Sequence, residues 1–312
     1  MTKLKGILLS EGMHGMISQA EGLAKALDIE FTHHTVETNN FWKLFPPKVT
    51  PVTQKVFKKI DSKEFDVIIS CGRKSVIPSI YLKKNSNKKI INIHIQDPKV
   101  NLSNFSYVIA PEHDELTGVN VFSTKGAIHY LTKKEINNYT NYLKDKLQSE
   151  KEYFLLILGG PTKHYEYSDE NISNIFDLFN DLVKKNNLQG IVVPSMRTPV
   201  NIIDLAKNKL GEKSLVIDTV DKKAYLSALS LAKYISVTCD STSMISEAAL
   251  TGKPIYIAGI PTKKNDKRIK KFRELFDQLN ITKKLDNKLE TWHYENLDET
   301  SRIANEIKKQ LD

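Results

Sequence analysis

Residues 234–261 read YISVTCDSTSMISEAALTGKPIYIAGIP, and their order decides the fold. The apolar run 235–238 predicts a buried strand that ends at Cys239-Asp240. Ser241, Thr242 and Ser243 follow, then a small-residue helix predicted over 244–250. Gly252 suits the position just past a helix end, and Pro254 opens a second strand over 255–258. A strand–helix–strand unit of this kind presents the helix N-terminus at the carboxyl edge of a parallel sheet. Ligands bind at that edge in open α/β sheets, and helix N-termini favour anions. Glu247 stands beside Ala248, Ala249 and Leu250 on a helix built to pack. An unpaired charge is costly there, so Glu247 is expected to hold a ligand.

The same grammar extends outward in both directions. Upstream in the second half, a strand over 153–158 (YFLLIL) closes on Gly159-Gly160-Pro161-Thr162-Lys163-His164. Helix 169–185, strand 190–193, the loop Ser195-Met196-Arg197-Thr198, helix 200–209, strand 215–217 and helix 222–232 then lead into the opening stretch. The first half starts with a strand over 5–10, the loop Glu11-Gly12-Met13-His14-Gly15 and a helix over 16–27. Residues 31–51, with Trp42, Phe45 and Pro46-Pro47, are expected to be irregular. Further strands fall at 65–70, 90–95, 107–110 and 119–123, before a very polar helix at 133–148. Helices at 268–280 and 298–311 close the chain. Short strands that each end in polar residues indicate parallel α/β sheets. The expected fold class is therefore α/β: two Rossmann-like doubly wound domains, 1–150 and 151–312, facing across a cleft. The last helix is a candidate to pack back on the first domain.

Composition sets the outer limits. The chain has 312 residues and a net charge of +9, and its basic excess is spread out. Residues 1–150 carry 21 Lys/Arg against 15 Asp/Glu, and the rest 25 against 22. The densest basic cluster lies at 263–273, which reads as a solvated helix face or a contact with anionic membrane. No nucleic-acid reader motif accompanies the charge, so nucleic acid is not an expected partner. Cys71 and Cys239 make no disulfide framework or metal spacing, and no HExxH or paired-carboxylate pattern points to a metal. No cleavable leader is evident, and no apolar run approaches the ~18 residues of a membrane span. A cytoplasmic protein, peripheral on the inner membrane face at most, is the expectation.

The chemistry is expected at the strand ends. Gly159 and Gly160 allow backbone amides to approach a phosphate. Lys163 and His164 lie in the same loop, and Arg197, between Ser195 and Thr198, can bind phosphate bidentately. Asp240 and the Ser241–Thr242–Ser243 turn add hydroxyls and helix-end amides. Ser243 and Glu247 are four apart and share a helix face, where a carboxylate suits a ribose diol. Such a donor set around one acid fits a nucleoside-diphosphate-linked ligand. In the first half, Gly12 and Gly15 form only half of a dinucleotide motif. Arg73 sits at a helix start, where a nearby anion would explain it. Glu11, His14, Asp97, Glu112, His113 and Asp114 all follow predicted strands and are the acid/base candidates.

A longer series of motifs carries a family resemblance. SEGMHGMISQAEGLAKAL, SCGRKSVIPSIYLKK, IHIQDPKV, APEHDEL, STKGAIH, LGGPTKHY, SMRTP and VTCDSTSMISEAALTGKPIYI occur in that order, followed by KRIKKFRELFDQL and ENLDETSRIANEI. Together they resemble the mitochondrial-fission "elongated mitochondria" family, whose bacterial members are often labelled nucleoside-diphosphate-sugar epimerases. The resemblance implies a GT-B-like fold with the donor nucleotide against the second domain and Glu247 on the ribose. The first loop commonly reads DGKAGH in that family; here Met13 and His14 follow Gly12, so the usual lysine is absent. The leading expectation is a metal-independent glycosyltransferase with a nucleotide-diphosphate sugar as substrate and no cofactor. His14 or Asp97 would deprotonate the acceptor. A GT-B-type epimerase and a non-catalytic membrane-associated scaffold are the alternatives.

Overall fold

A computed structural model describes residues 3–60 and 64–311. In chain order the first elements are β1 (Lys5–Ser10), α1 (His14–Ala26), β2 (Glu30–Thr35), β3 (Val67–Cys71), α2 (Val76–Lys84), β4 (Ile91–Ile95), β5 (Tyr107–Pro111), β6 (Val121–Thr124) and α3 (Lys133–Asn138). Next come β7 (Tyr153–Leu158), α4 (Asp169–Lys185), β8 (Gln189–Pro194), α5 (Val200–Leu210), β9 (Ser214–Val216) and α6 (Lys222–Leu231). The chain finishes with β10 (Ala232–Thr238), α7 (Thr242–Ala249), β11 (Ile255–Ala258), α8 (Lys267–Gln278), β12 (Thr282–Lys284) and α9 (Glu299–Leu311). These form two compact units. One runs to Tyr130 and takes the chain up again at Asp298; the other is Leu131–Leu297.

Each unit holds one parallel sheet. The first has the order β2-β1-β3-β4-β5-β6. Strand alternation sends Leu8, Ile69 and Ile93 to one face, where they meet Leu23 of α1 with Ile303 and Ile307 of α9. Ile7, Leu9 and Ile68 go to the other face, against Val76, Ile77 and Ile80 of α2. The second sheet has the order β12-β11-β10-β7-β8-β9. Its central strand β7 is buried from Phe154 to Leu158, which is why YFLLIL reads as an unbroken apolar run. Helix α4 covers it with Ile172, Phe176, Phe179 and Val183 at helical spacing, each worth about 1.5–3 kcal/mol on burial. Strand order reverses between β1 and β3 in the first sheet and between β7 and β10 in the second. Those are the two places where α/β sheets open a crevice for ligands.

The departures from the sequence reading have physical causes. β2 (EFTHHT) and β12 (TKK) are strands with little apolar signal, because both are edge strands of their sheets. The expected helix 133–148 breaks at Tyr139 and continues as 3-10 turns over Thr140–Lys146. The unit boundary falls at Tyr130, ahead of the join expected near residue 150. The intervening segment packs on α6 instead: buried Leu143 donates its amide to Ser227 Oγ at 3.1 Å, and Lys222 pairs with Glu135 at 2.8 Å. No helix among the described residues is long and apolar enough to cross a membrane.

Candidate functional site

The crevice between β7 and β10 is organised by Asp240, whose side chain is fully shielded. Its Oδ1 accepts from the Tyr167 hydroxyl at 2.5 Å, and its Oδ2 from the Gly160 amide at 3.2 Å and from Arg197 Nη2 at 2.7 Å. Arg197 Nη1 donates to the Gly160 carbonyl at 2.8 Å. The Gly159 amide donates to Thr238 Oγ1 at 2.8 Å. This corrects the expected use of the glycine loop. Both amides are donors to the protein itself, so they are not free to neutralise a phosphate. The glycines are required for close approach: a Cβ on Gly159 would lie 2.2 Å from Asp240 Oδ2, and one on Gly160 would lie 2.0 Å from the Arg197 carbonyl oxygen.

Ser195 and Thr198 build the loop that delivers Arg197. Thr198 Oγ1 accepts from the Ser195 amide at 2.8 Å and donates toward the Gly159 carbonyl at 2.6 Å, and Ser195 Oγ accepts from the Arg197 amide at 3.3 Å. Their polar groups are consumed locally. Arg197 spends one hydrogen of each terminal nitrogen on the protein, but its side chain is 42% exposed and its other donors face outward. Lys163 is exposed with no ion-pair partner among the described residues. His164 is half-buried, and its Nδ1 is shielded with no hydrogen-bond partner among the described residues.

Helix α7 brings further polar groups to the same sheet edge. Ser241 caps it, its Oγ accepting from the Met244 amide at 3.4 Å. The Thr242 and Ser243 side chains are half-buried and make no hydrogen bond within the described residues. One turn on, Glu247 Oε2 accepts from Tyr225 at 2.7 Å, while Oε1 has no donor among the described residues. Burial pushes the Glu247 carboxyl up to about 7, and the Tyr225 hydrogen bond only partly offsets it. The helix start offers unpartnered hydroxyls and positive dipole to an anion, and the acid offers one open acceptor to a diol.

Three contributors escaped the sequence reading. Tyr167 is the buried donor to Asp240; its phenol is pushed up by burial and by that carboxylate. Tyr165 donates to Asp266 and accepts from Arg273 Nη1 at 2.6 Å. Arg273 also donates to the Cys239 carbonyl at 3.0 Å, so it braces the turn that leads into α7. In sequence it belongs to the basic 263–273 cluster, yet its side chain is only 22% exposed. The signal was there in its spacing from Phe272 and Phe276 on an amphipathic helix, but its partners are remote in sequence.

The first unit gathers its candidates around the β1/β3 reversal. Glu11 Oε1 accepts from the Lys74 amide at 3.0 Å, and Oε2 pairs with Lys74 Nζ at 3.2 Å. Gly12 and Gly72 have φ of +82° and +91°, which glycine alone adopts without strain. His14 and Gly15 open α1; His14 is exposed and stands edge-on to Tyr130 with ring centroids 6.5 Å apart. Arg73 donates to the Lys43 carbonyl at 3.1 Å. Asp97 is a poor base. Both its oxygens are held by Lys99, and although burial raises its carboxyl, those hydrogen bonds bring it below the usual range. Glu112 is exposed after β5, whereas His113 is shielded and lies 3.8 Å from Asp114. The Glu11 and Asp97 sets are thus separate within this unit. No cluster of three or more His, Cys, Asp or Glu among the described residues is placed to hold a metal.

The chain is 26% identical to an uncharacterised protein of Rickettsia prowazekii, with 96% of this chain and 97% of the relative covered. It is 23% identical to mitochondrial fission protein ELM1 of Arabidopsis thaliana, over 78% of this chain and 64% of that protein. In fold it resembles a UDP-GlcNAc 2-epimerase of Neisseria meningitidis bound to UDP-GlcNAc, with TM-score 0.53, 13% identity and 98% and 100% of the two chains covered. It also resembles the glycosyltransferase of kitacinnamycin, with TM-score 0.54, 10% identity and both chains fully covered. At such identities these are likenesses of fold alone. The family profile described as mitochondrial fission ELM1 matches residues 14–311, and the chain belongs to that family.

Proposed function

We propose that this chain is a metal-independent GT-B-type glycosyltransferase whose donor substrate is a nucleotide-diphosphate sugar and which needs no cofactor. The observation that carries the reading is the face of α7: unpartnered Thr242 and Ser243 hydroxyls at the helix start, with the open oxygen of Glu247 one turn away. In this reading the diphosphate lies against the α7 amides and those hydroxyls, aided by Lys163 and the outward donors of Arg197. Glu247 accepts from the ribose, and His14 is the base that takes the acceptor's proton, since Asp97 is engaged by Lys99. Asp240 and Arg273 position the turn without touching the donor.

The fold likeness to an epimerase bound to UDP-GlcNAc supports a second reading, epimerisation of the same class of donor. Titration with UDP-GlcNAc and UDP followed by calorimetry tests the shared site, with binding lost in Glu247→Ala. Unchanged binding in that variant would remove the assignment. Product analysis then separates the reactions. Transfer releases the nucleoside diphosphate only when an acceptor is present, whereas epimerisation yields the 2-epimer without one. No nucleotide-sugar binding, with vesicle binding that depends on the 263–273 cluster, would favour the scaffold alternative.

A further inference from the structure

We infer that residues 38–60, between β2 and β3 of the first unit, form a docking surface for an anionic phospholipid membrane. Residues 38–60 carry five lysines and no Asp or Glu. Within them Phe41 is 64% exposed, Leu44 83% and Val49 61%, the densest such apolar grouping among the described residues. The protrusion is built rather than loose. Asn39 donates to the Lys55 carbonyl at 2.7 Å and its carbonyl receives the Trp42 amide at 2.9 Å; Thr50 Oγ1 ties back to the Pro46 carbonyl at 2.9 Å. Phe41 and Trp42 meet edge to face with centroids 4.9 Å apart, and Phe45 closes the cluster. Aromatic and aliphatic side chains held outward on a pinned segment suit insertion at the headgroup–acyl boundary.

Charge complementarity names the occupant. Lys43, Lys48 and Arg73 are exposed, and among the described residues none is paired with a carboxylate. Beside them Trp42, Phe45 and Arg73 line a shallow hollow open to solvent, which sets a cation next to an aromatic wall at the surface. The 263–273 cluster is a weaker lipid surface than its sequence suggests, because Lys263 pairs with Glu166 at 2.8 Å and Lys270 with Glu274 at 3.7 Å. The inference is independent of the nucleotide site.

Co-sedimentation of the full chain with phosphatidylcholine vesicles, with and without phosphatidylglycerol, tests it. Binding is expected only with phosphatidylglycerol and declines as salt is raised. Phe41→Ser with Leu44→Ser, and separately Lys43→Glu with Lys48→Glu, should each lower the bound fraction at least ~10-fold. Lys267→Glu with Lys270→Glu should change it little. Quenching of Trp42 by brominated lipid, in a Trp292→Phe background, gives a readout that needs no surface mutation. The inference is overturned if the unaltered chain ignores anionic vesicles or binds neutral ones equally. It is also overturned if only the 267/270 variant loses binding, or if free phosphate competes as well as lipid and Trp42 stays unquenched.

Discussion

Arg197 reaches Asp240 at 2.7 Å by passing over the Gly159-Gly160 turn, joining the loop after β8 to the loop after β10 across the strand between them. The two partners are unequal. Asp240 has no exposed side-chain surface and gathers three donors, while Arg197 is partly solvated. Asp240→Ala should therefore cost about 3 kcal/mol, since it leaves the Gly160 amide without its acceptor and takes one partner each from Tyr167 and the guanidinium. Arg197→Ala should cost roughly 1 kcal/mol, because solvent already screens it. Denaturant unfolding of the two variants checks the order; equal losses would contradict it.

The turn beneath that ion pair makes its own prediction. A methyl on Gly160 meets the Arg197 backbone at 2.0 Å, and backbone cannot swing aside as a side-chain tip can. Gly160→Ala should destabilise by about 1–3 kcal/mol, the usual range for overpacking. Gly259→Ala is the contrast, since a Cβ there meets nothing within 4 Å. Thermal midpoints of the pair measure the difference.

These contacts also explain what could be read from the sequence. β7, β10 and α7 were legible because their burial is nearly complete and writes itself as apolar runs and small-residue spacing. Glu247 stood out as an acid on a packing face. By contrast, Gly159 and Gly160 were read as a phosphate cradle, and only the position of Asp240, remote in sequence, shows which acceptors the amides serve. Tyr165, Tyr167 and Arg273 were invisible for the same reason: their meaning lies in partners 34 to 108 positions away. Periodicity reports which face of an element is buried; it is silent on which loop the face's polar neighbours come from.

Two buried groups give the units opposite pH responses. Glu247 holds its proton more tightly when folded, at about 7 against 4.5, so its contribution is full below 4.5 and lost as pH rises through 7. The loss is roughly 3 kcal/mol by pH 8. His94 is buried beside Ser70, and burial lowers its imidazole from 6.5 to about 3, so stability there is lost as pH falls below 6.5. Between pH 4.5 and 6.5 acidification should weaken the first unit while it steadies α7. Amide exchange followed by peptide mass spectrometry should show protection over 91–95 falling and over 242–250 rising. Glu247→Gln should abolish the second trend and leave the first.

Arg273 offers the sharpest separation of charge from geometry. Its guanidinium bonds the Tyr165 hydroxyl and the Cys239 carbonyl through Nη1 and pairs with Asp266 through Nη2 at 3.0 Å. A lysine ammonium keeps the charge but lacks the planar fork that serves these partners together. Arg273→Lys should cost about 1–2 kcal/mol, and more tellingly it should loosen the turn that aims α7. Affinity for a nucleotide-diphosphate sugar should then fall several-fold although Arg273 touches no donor. Lys264→Ala, at an exposed residue of the same basic cluster, should stay within about 0.5 kcal/mol and bind normally. If Arg273→Lys binds as the unaltered chain does, the bracing role is wrong and Arg273 belongs with the surface lysines after all.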